Sequence, residues 1–199
     1  MHYFAKRFFS PVLLSLHPEQ EETAVSISNE TMVAVDGYIE LLVMDAGLRI
    51  LHRERHACRV PGLFARDVLR FAHLPWVGVE PRSRLLVCRL YDGAGTLLTE
   101  CAQIYTAHRF FRYQNPVLQC RAEVQDGTLF VLVRGGAFAS GVEIRSDRAE
   151  LVLEDNDFDL TATAWRPIRV LRMDPALSAA ELESSLTVRS VYDIGRPDR

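Results

Sequence analysis

The sequence predicts an all-β protein that folds as two consecutive β-sandwiches with little helix. Strand-like segments recur along its whole length, separated by turns that contain glycine, aspartate or proline. Helix-like patterns are scarce and are confined to residues 2–9 and 174–183. The 199 residues are enough for two such modules, because a small sandwich needs about 100 residues.

The first half contains five predicted strands, at residues 23–28, 38–45, 48–60, 84–91 and 97–105. Residues 23–28 alternate, so that Val25 and Ile27 share one face of the strand. Two glycines in the segment 92–95 predict a hairpin turn between the last two strands. The stretch 60–79 contains Pro61 and Pro75 and fits no strand pattern, so we interpret it as a loop.

The second half contains six predicted strands, at residues 118–124, 129–133, 142–145, 149–153, 168–171 and 186–191. Between the last two strands, residues 174–183 predict one short helix with Pro175 at its first position. The boundary between the two sets of strands falls in residues 106–117. This segment contains Asn115-Pro116, and a residue before proline prefers extended backbone.

The composition argues against several classes of protein. A formal net charge of −3 leaves no basic surplus for a nucleic-acid partner. No apolar run approaches the ~20 residues that span a bilayer, and the N-terminal stretch lacks a signal-peptide pattern, so we expect no membrane partner and favour a cytoplasmic location. The four cysteines show no CxxC spacing, which predicts reduced thiols rather than a zinc or redox site.

His52, His56 and Cys58 form an H-x3-H-x-C cluster that could hold zinc if it lay on a helix. The segment has a strand pattern instead, and at ~3.3 Å per residue its side chains spread over roughly 20 Å. That is too far for these residues alone to close one coordination sphere. We therefore predict a solvated strand face and no metal ligand.

Residues 154–159, with the sequence EDNDFD, form the densest acidic segment. A calcium loop and a glycosidase carboxylate pair are two possible interpretations, but EF-hand spacing is missing and neighbouring acids on a turn seldom flank a sugar. The third interpretation is a turn in which Asp and Asn bind local backbone while Phe158 and Leu160 enter the core. We favour this structural interpretation.

No catalytic or cofactor-binding motif emerges from the sequence. There is no G-x-S-x-G elbow, and Gly135-Gly136 is not followed by the Lys-Ser/Thr of a phosphate loop. We therefore assign no catalytic residue, no cofactor and no metal. Trp76 and Trp165 are candidate sugar contacts, since carbohydrate-binding sandwiches stack sugars on tryptophan; burial in the core is the alternative for both.

Three segments in order carry a resemblance to a known family. Residues 2–16, HYFAKRFFSPVLLSL, resemble the stretch that leaves the catalytic barrel of glycoside hydrolase family 2 β-mannosidases. Residues 25–30, VSISNE, look like the opening strand of the sandwich that follows, and residues 153–160, LEDNDFDL, are similar to an element of the terminal immunoglobulin-like domain.

The resemblance implies two consecutive immunoglobulin-like β-sandwiches. Residues 1–10 would be the end of a barrel helix or a linker, 11–106 the first sandwich and 107–199 the second. It also implies that the catalytic glutamates lie on a barrel upstream, so we expect the sequence to be a piece of a longer enzyme. No catalytic residue can be transferred to this chain, and Asn29-Glu30 is not the acid/base pair of the family.

The implied function is that of a non-catalytic accessory fragment whose partner is the catalytic barrel of the parent enzyme. Such a fragment should expose the apolar surface that packs on the barrel, and we expect this surface around Phe4, Phe8 and Phe9. The alternative is a carbohydrate-binding module that contacts a mannose-containing oligosaccharide through Trp76 or Trp165. A third alternative is a complete small hydrolase that uses the acids of residues 154–159.

Overall fold

The computed structural model describes residue 3 and residues 9–194, and these residues form an all-β fold with little helix. The predicted helix at residues 2–9 lies almost wholly outside the described residues. The chain divides into two compact units, Met1–Arg112 and Tyr113–Arg199. Each unit contains two antiparallel sheets, which confirms the prediction of two consecutive sandwiches.

The first unit contains seven strands: β1 (Val12–Pro18), β2 (Glu22–Asn29), β3 (Val35–Asp45), β4 (Ile50–Val60), β5 (Phe64–Ala72), β6 (Arg84–Asp92) and β7 (Leu97–Ile104). They form a three-stranded sheet, β1-β2-β5, and a four-stranded sheet, β4-β3-β6-β7.

The interpretation of residues 60–79 as a loop is wrong. This stretch contains β5, which pairs with β2, and a π-helical turn at Leu74–Gly78.

The core of the first unit lies between its two sheets. Val25 and Ile27 of β2 are fully buried, as their alternation predicted. They pack in one cluster with Ile39, Leu41 and Val43 of β3. Because successive side chains of a strand point to opposite faces, this cluster identifies the inward face of each strand.

The second unit contains β8 (Gln119–Gln125), β9 (Thr128–Arg134), β10 (Ala139–Ser146), β11 (Glu150–Leu153), β12 (Phe158–Leu160), β13 (Arg166–Asp174), helix α1 (Ala179–Ser185) and β14 (Leu186–Arg189). Its sheets have the orders β11-β13-β9-β8 and β12-β10-β14. The helix begins at Ala179, four residues after the predicted first position at Pro175. Ser178 and Glu181 form a capping box that fixes this start, since each side chain binds the backbone N–H of the other residue.

The acidic segment of residues 154–159 is a structural turn in the second unit. Phe158 and Leu160 are buried, which confirms the predicted core role of these two side chains. The side chain of Asn156 acts like a strand backbone: Oδ1 accepts from the N–H of Ile144 at 2.8 Å, and Nδ2 donates to the carbonyl of Ile144 at 3.0 Å. Arg166 donates to Asp155 at 2.9 Å across the turn.

We predict that Asn156→Ala destabilises the second unit by about 2 kcal/mol, because a buried N–H and a buried carbonyl of the same residue lose their partners. Urea unfolding monitored by the fluorescence of Trp165, which lies in this unit, would measure the change. As a control, Gln114→Ala removes an exposed amide side chain of the same unit and should cost less than about 0.5 kcal/mol. Equal stability of the two variants would contradict the role of Asn156.

Candidate functional site

Three large apolar side chains are exposed together at one end of the first unit. Met32 and Val33 lie in the β2–β3 loop and are 82% and 72% exposed, and Leu63 lies in the β4–β5 turn and is 67% exposed. The two segments are in contact, because the N–H of Leu63 donates to the carbonyl of Thr31 at 2.9 Å. We call Met32, Val33 and Leu63 the apolar end.

Asn29, the last residue of β2, holds the apolar end in place. Its side chain is buried, and its Nδ2 donates to the carbonyls of Val33 at 2.9 Å and Pro61 at 3.1 Å. Its Oδ1 accepts from the N–H of Thr31 at 3.1 Å. One side chain therefore fastens both loops, so the three apolar residues are presented by an ordered backbone.

A glycine allows the two loops to approach closely. A Cβ atom at Gly62 would lie 2.6 Å from the carbonyl carbon of Met32, closer than real Cβ contacts. The segment that leads into β1 passes the same place, because the N–H of Glu30 donates to the carbonyl of Pro11 at 2.8 Å. Phe9, two residues before Pro11, is 74% exposed. Phe4 and Phe8, also expected on this surface, lie outside the described residues.

His52, Glu54 and His56 form a row on strand β4 that we call the polar row. The carboxylate of Glu54 lies 2.7 Å from Nε2 of His52 and 3.0 Å from Nε2 of His56. These three residues pair with Val43, Leu41 and Ile39 and therefore lie on the inward face of the sheet. The prediction of a solvated face must be corrected, since the row is half-buried at the edge of the core.

Hydrogen bonding by the two histidines, with that of His52 strongest, lowers the pKa of the Glu54 carboxyl. Cys58, the third member of the predicted cluster, lies farther along β4, and burial raises the pKa of its thiol. Among the described residues, no group of three or more His, Cys, Asp or Glu side chains is placed to hold a metal ion. The polar row is therefore a hydrogen-bonded edge of the sandwich.

The two candidate sugar-contact tryptophans lie in different units and have different neighbours. Trp76 is in the π-helical turn, packs against the core and stacks on His52 with ring centroids 3.8 Å apart. Trp165 directly precedes β13 and is half-buried, with the guanidinium carbons of Arg121 and Arg134 at 4.8 and 4.5 Å from its ring centroid. Sugar contact remains a prediction for both residues.

A cluster that sequence reasoning missed lies beside a groove of about 580 Å³ in the first unit. Oγ1 of Thr23 lies 3.0 Å from Nδ1 of His73 and 2.6 Å from the hydroxyl of Tyr105. Burial lowers the pKa of His73 and raises that of Tyr105 to about 12, so both groups are neutral near pH 7. No spacing signal could have revealed these contacts, because Thr23 and Tyr105 are 82 residues apart in sequence.

No helix in the described part of the chain is long and apolar enough to cross a membrane.

Comparison with known proteins relates the chain to domains of glycosidases. Residues 113–194 match the family model Ig_mannosidase, an Ig-fold domain. This match confirms the resemblance to β-mannosidase immunoglobulin-like domains for the second unit. No curated protein matches the sequence.

Solved structures resemble nearly the whole chain. A β-D-mannosidase from Dictyoglomus thermophilum superposes with a TM-score of 0.79 at 18% identity, covering 95% of this chain and 22% of that one. An exo-chitosanase from Amycolatopsis orientalis gives a TM-score of 0.65 at 13% identity, covering 96% and 26%. The chain thus spans about a quarter of the length of these enzymes, and the likeness establishes a shared fold.

We predict that Glu54→Gln lowers stability at neutral pH and has no effect in acid. Because folding lowers the pKa of Glu54, its ionised carboxylate stabilises the folded state at pH values above 4.5, the pKa of this group in the unfolded chain. The stabilisation disappears as the pH falls through the lower pKa of the folded state. The loss near pH 7 should be about 1 kcal/mol or less, as for other half-exposed pairs. Urea unfolding of wild type and variant, at neutral pH and in acid, would measure the difference in the free energy of unfolding.

Glu21→Gln, which changes an exposed glutamate of the same unit, is the control and should alter stability by less than about 0.5 kcal/mol near pH 7. A difference in stability between wild type and Glu54→Gln that grows as the pH falls would refute this role of the Glu54 carboxylate.

Proposed function

We propose that this chain is a non-catalytic accessory part of a β-mannosidase-like glycoside hydrolase, in which it packs against and supports the catalytic barrel. The observation that carries the proposal is the apolar end of the first unit. The Ig_mannosidase match of residues 113–194 and the small share of each related enzyme that the chain covers also support it.

The apolar end has the properties of a docking surface. Clustered apolar side chains on a monomer commonly mark an interaction site, because burying them is favourable by about 25 cal/mol per Å². Asn29 and Gly62 order the two loops before any partner binds, so little conformational entropy would be lost on docking. The occupant that we propose is the catalytic barrel of the same parent polypeptide.

The path of the chain favours this occupant. Residues 9–11 run beside the β2–β3 loop, so a domain encoded before residue 9 would be tethered next to the apolar end. A tether of this kind raises the effective concentration of the partner, and a small apolar surface then suffices for docking. We accordingly assign residues 1–10 to the connection, 11–106 to the first sandwich and 107–199 to the terminal one.

Several acidic residues in the described part of the chain serve structural contacts, which supports a non-catalytic role. Glu54 is held between two histidines, Asp155 pairs with Arg166, and Asp159 accepts from the N–H of Gly141 at 3.0 Å. A glycosidase instead needs two carboxyl groups facing each other across a sugar-sized cleft. We propose that such a pair is supplied by the barrel.

The test is to produce the chain together with the polypeptide encoded directly upstream and to measure their co-purification and the hydrolysis of p-nitrophenyl β-mannoside. The pair should co-purify and hydrolyse the substrate, while the isolated chain should be inactive. Met32→Ser with Leu63→Ser should weaken the association at least about tenfold, because two buried apolar anchors are lost.

Val79→Ser provides a matched control, since Val79 is an exposed apolar residue of the same unit that lies away from the apolar end. It should leave the association unchanged. Hydrolysis by the isolated chain would exclude the non-catalytic role. Undiminished association of the Met32 and Leu63 double variant would exclude the apolar end as the docking surface.

A further inference from the structure

Two of the four cysteines face each other on neighbouring strands of the first unit. Cys88 of β6 and Cys101 of β7 are directly opposite in the antiparallel register, and both are reduced in the structure. Opposite residues of an antiparallel pair have Cα atoms about 4.5 or 5.5 Å apart and side chains on the same face. A disulfide joins residues whose Cα atoms are about 4.4–6.8 Å apart, so this pair lies within the range that a disulfide bridges.

The two thiols lie at the margin of the core. Cys88 is fully buried in the cluster between the sheets, and Cys101 is half-buried and packs against that cluster. Strand β7 is at the edge of its sheet, next to β6. Gln103, two residues along β7 on the same face and roughly 7 Å from Cys101, lines the groove of about 580 Å³. A small molecule in this groove therefore comes near Cys101, while Cys88 is shielded.

This difference in burial gives the two thiols different roles. Burial raises the pKa of the Cys88 thiol, which keeps it protonated and makes it a poor nucleophile toward molecules in solution. The more exposed Cys101 is the thiol that meets an oxidant first. Once Cys101 has reacted, Cys88 already lies beside its sulfur, and a reaction within one molecule needs no second encounter.

The other two cysteines provide a contrast. Cys58 of β4 is opposite Gly37, and Cys120 of β8 is opposite Val133. Both are half-buried, like Cys101, but the residue that faces each of them carries no thiol. Exposure is thus shared by three cysteines, whereas the facing thiol distinguishes Cys101. The spacing of the cysteines in the sequence gave no sign of this pair, because strand pairing brings the two residues together.

We propose that Cys88 and Cys101 are a cross-strand dithiol that a small-molecule disulfide oxidises to a disulfide bond between β6 and β7. The Cys101 thiolate attacks one sulfur of the oxidant, whose S–S bond breaks, and one half leaves as a thiol after taking up a proton. Cys88 then gives up its proton, and its sulfur attacks the Cys101 sulfur of the mixed disulfide and releases the second half as a thiol.

Two protein thiols are thereby oxidised, and one molecule of the oxidant is reduced to two thiols. The bond ties the edge strand β7 to the interior strand β6. This inference rests on the β6–β7 hairpin and does not depend on the docking role of the apolar end.

Incubation of the full chain with oxidised glutathione, followed by mass spectrometry, tests the proposal. The intact protein should lose two hydrogen atoms, and the thiols titrated in denaturant should fall from four to two. Trypsin cuts after Arg89, between the two cysteines. Once free thiols have been blocked with iodoacetamide, the peptide of residues 85–89 should therefore be found linked to that of residues 90–109. Dithiothreitol should restore all four thiols.

Cys101→Ser removes the thiol that faces Cys88, so this variant should lose no hydrogen atoms. Cys120→Ser is the matched control, because it removes a half-buried cysteine that has no facing thiol, and it should form the bridge like the wild type. Circular dichroism checks that both variants are folded. A wild-type chain that stays reduced, one that keeps glutathione on Cys101 without forming the bridge, or a linked peptide that contains Cys58 or Cys120 instead would each overturn the proposal.

Discussion

Backbone polar groups beyond the ends of strands need partners, and one buried asparagine in each unit meets this need. Asn29 supplies both hydrogen-bond donors and an acceptor to two loops of the first unit. Asn156 supplies one donor and one acceptor to Ile144 in the second unit. An amide side chain suits this task because it carries the same two groups as a peptide unit. The loops and turns around both residues depend on these contacts.

The same two asparagines lie in two of the three segments that carry the family resemblance. Asn29 lies in residues 25–30 and Asn156 in residues 153–160. The contacts of each asparagine with backbone require one residue type at one position. Neighbouring strand residues need only be apolar on one side, which many sequences satisfy. In these two segments the resemblance thus includes a side chain that replaces backbone.

The periodicity of apolar residues predicted the strands that have one apolar face. It failed where this alternation is interrupted. Strand β3 is evident from its apolar run. Strand β5 instead carries Arg66, Asp67 and Arg70 and follows two turn residues, so its sequence has the pattern of a loop. Of the residues expected to form an exposed apolar surface, Phe9 is exposed, and Phe4 and Phe8 lie outside the described residues. The apolar end is formed by two loops that are distant in sequence, so no local pattern predicts it. The partners of Trp76 and Trp165 also depend on tertiary contacts, which no local pattern encodes.

Strand β4 is an edge strand with charged side chains on both of its faces. It is 11 residues long and lies at the edge of its sheet, so its outer backbone groups could pair with a strand from another molecule. The polar row occupies its inward side, and Arg53, Arg55 and Arg59 occupy the other. If a strand of a second molecule paired with β4, the charged side chains of the two molecules would lie close together on both faces of the extended sheet. The strand thereby resists edge-to-edge aggregation, the pathway by which exposed strands seed fibrils.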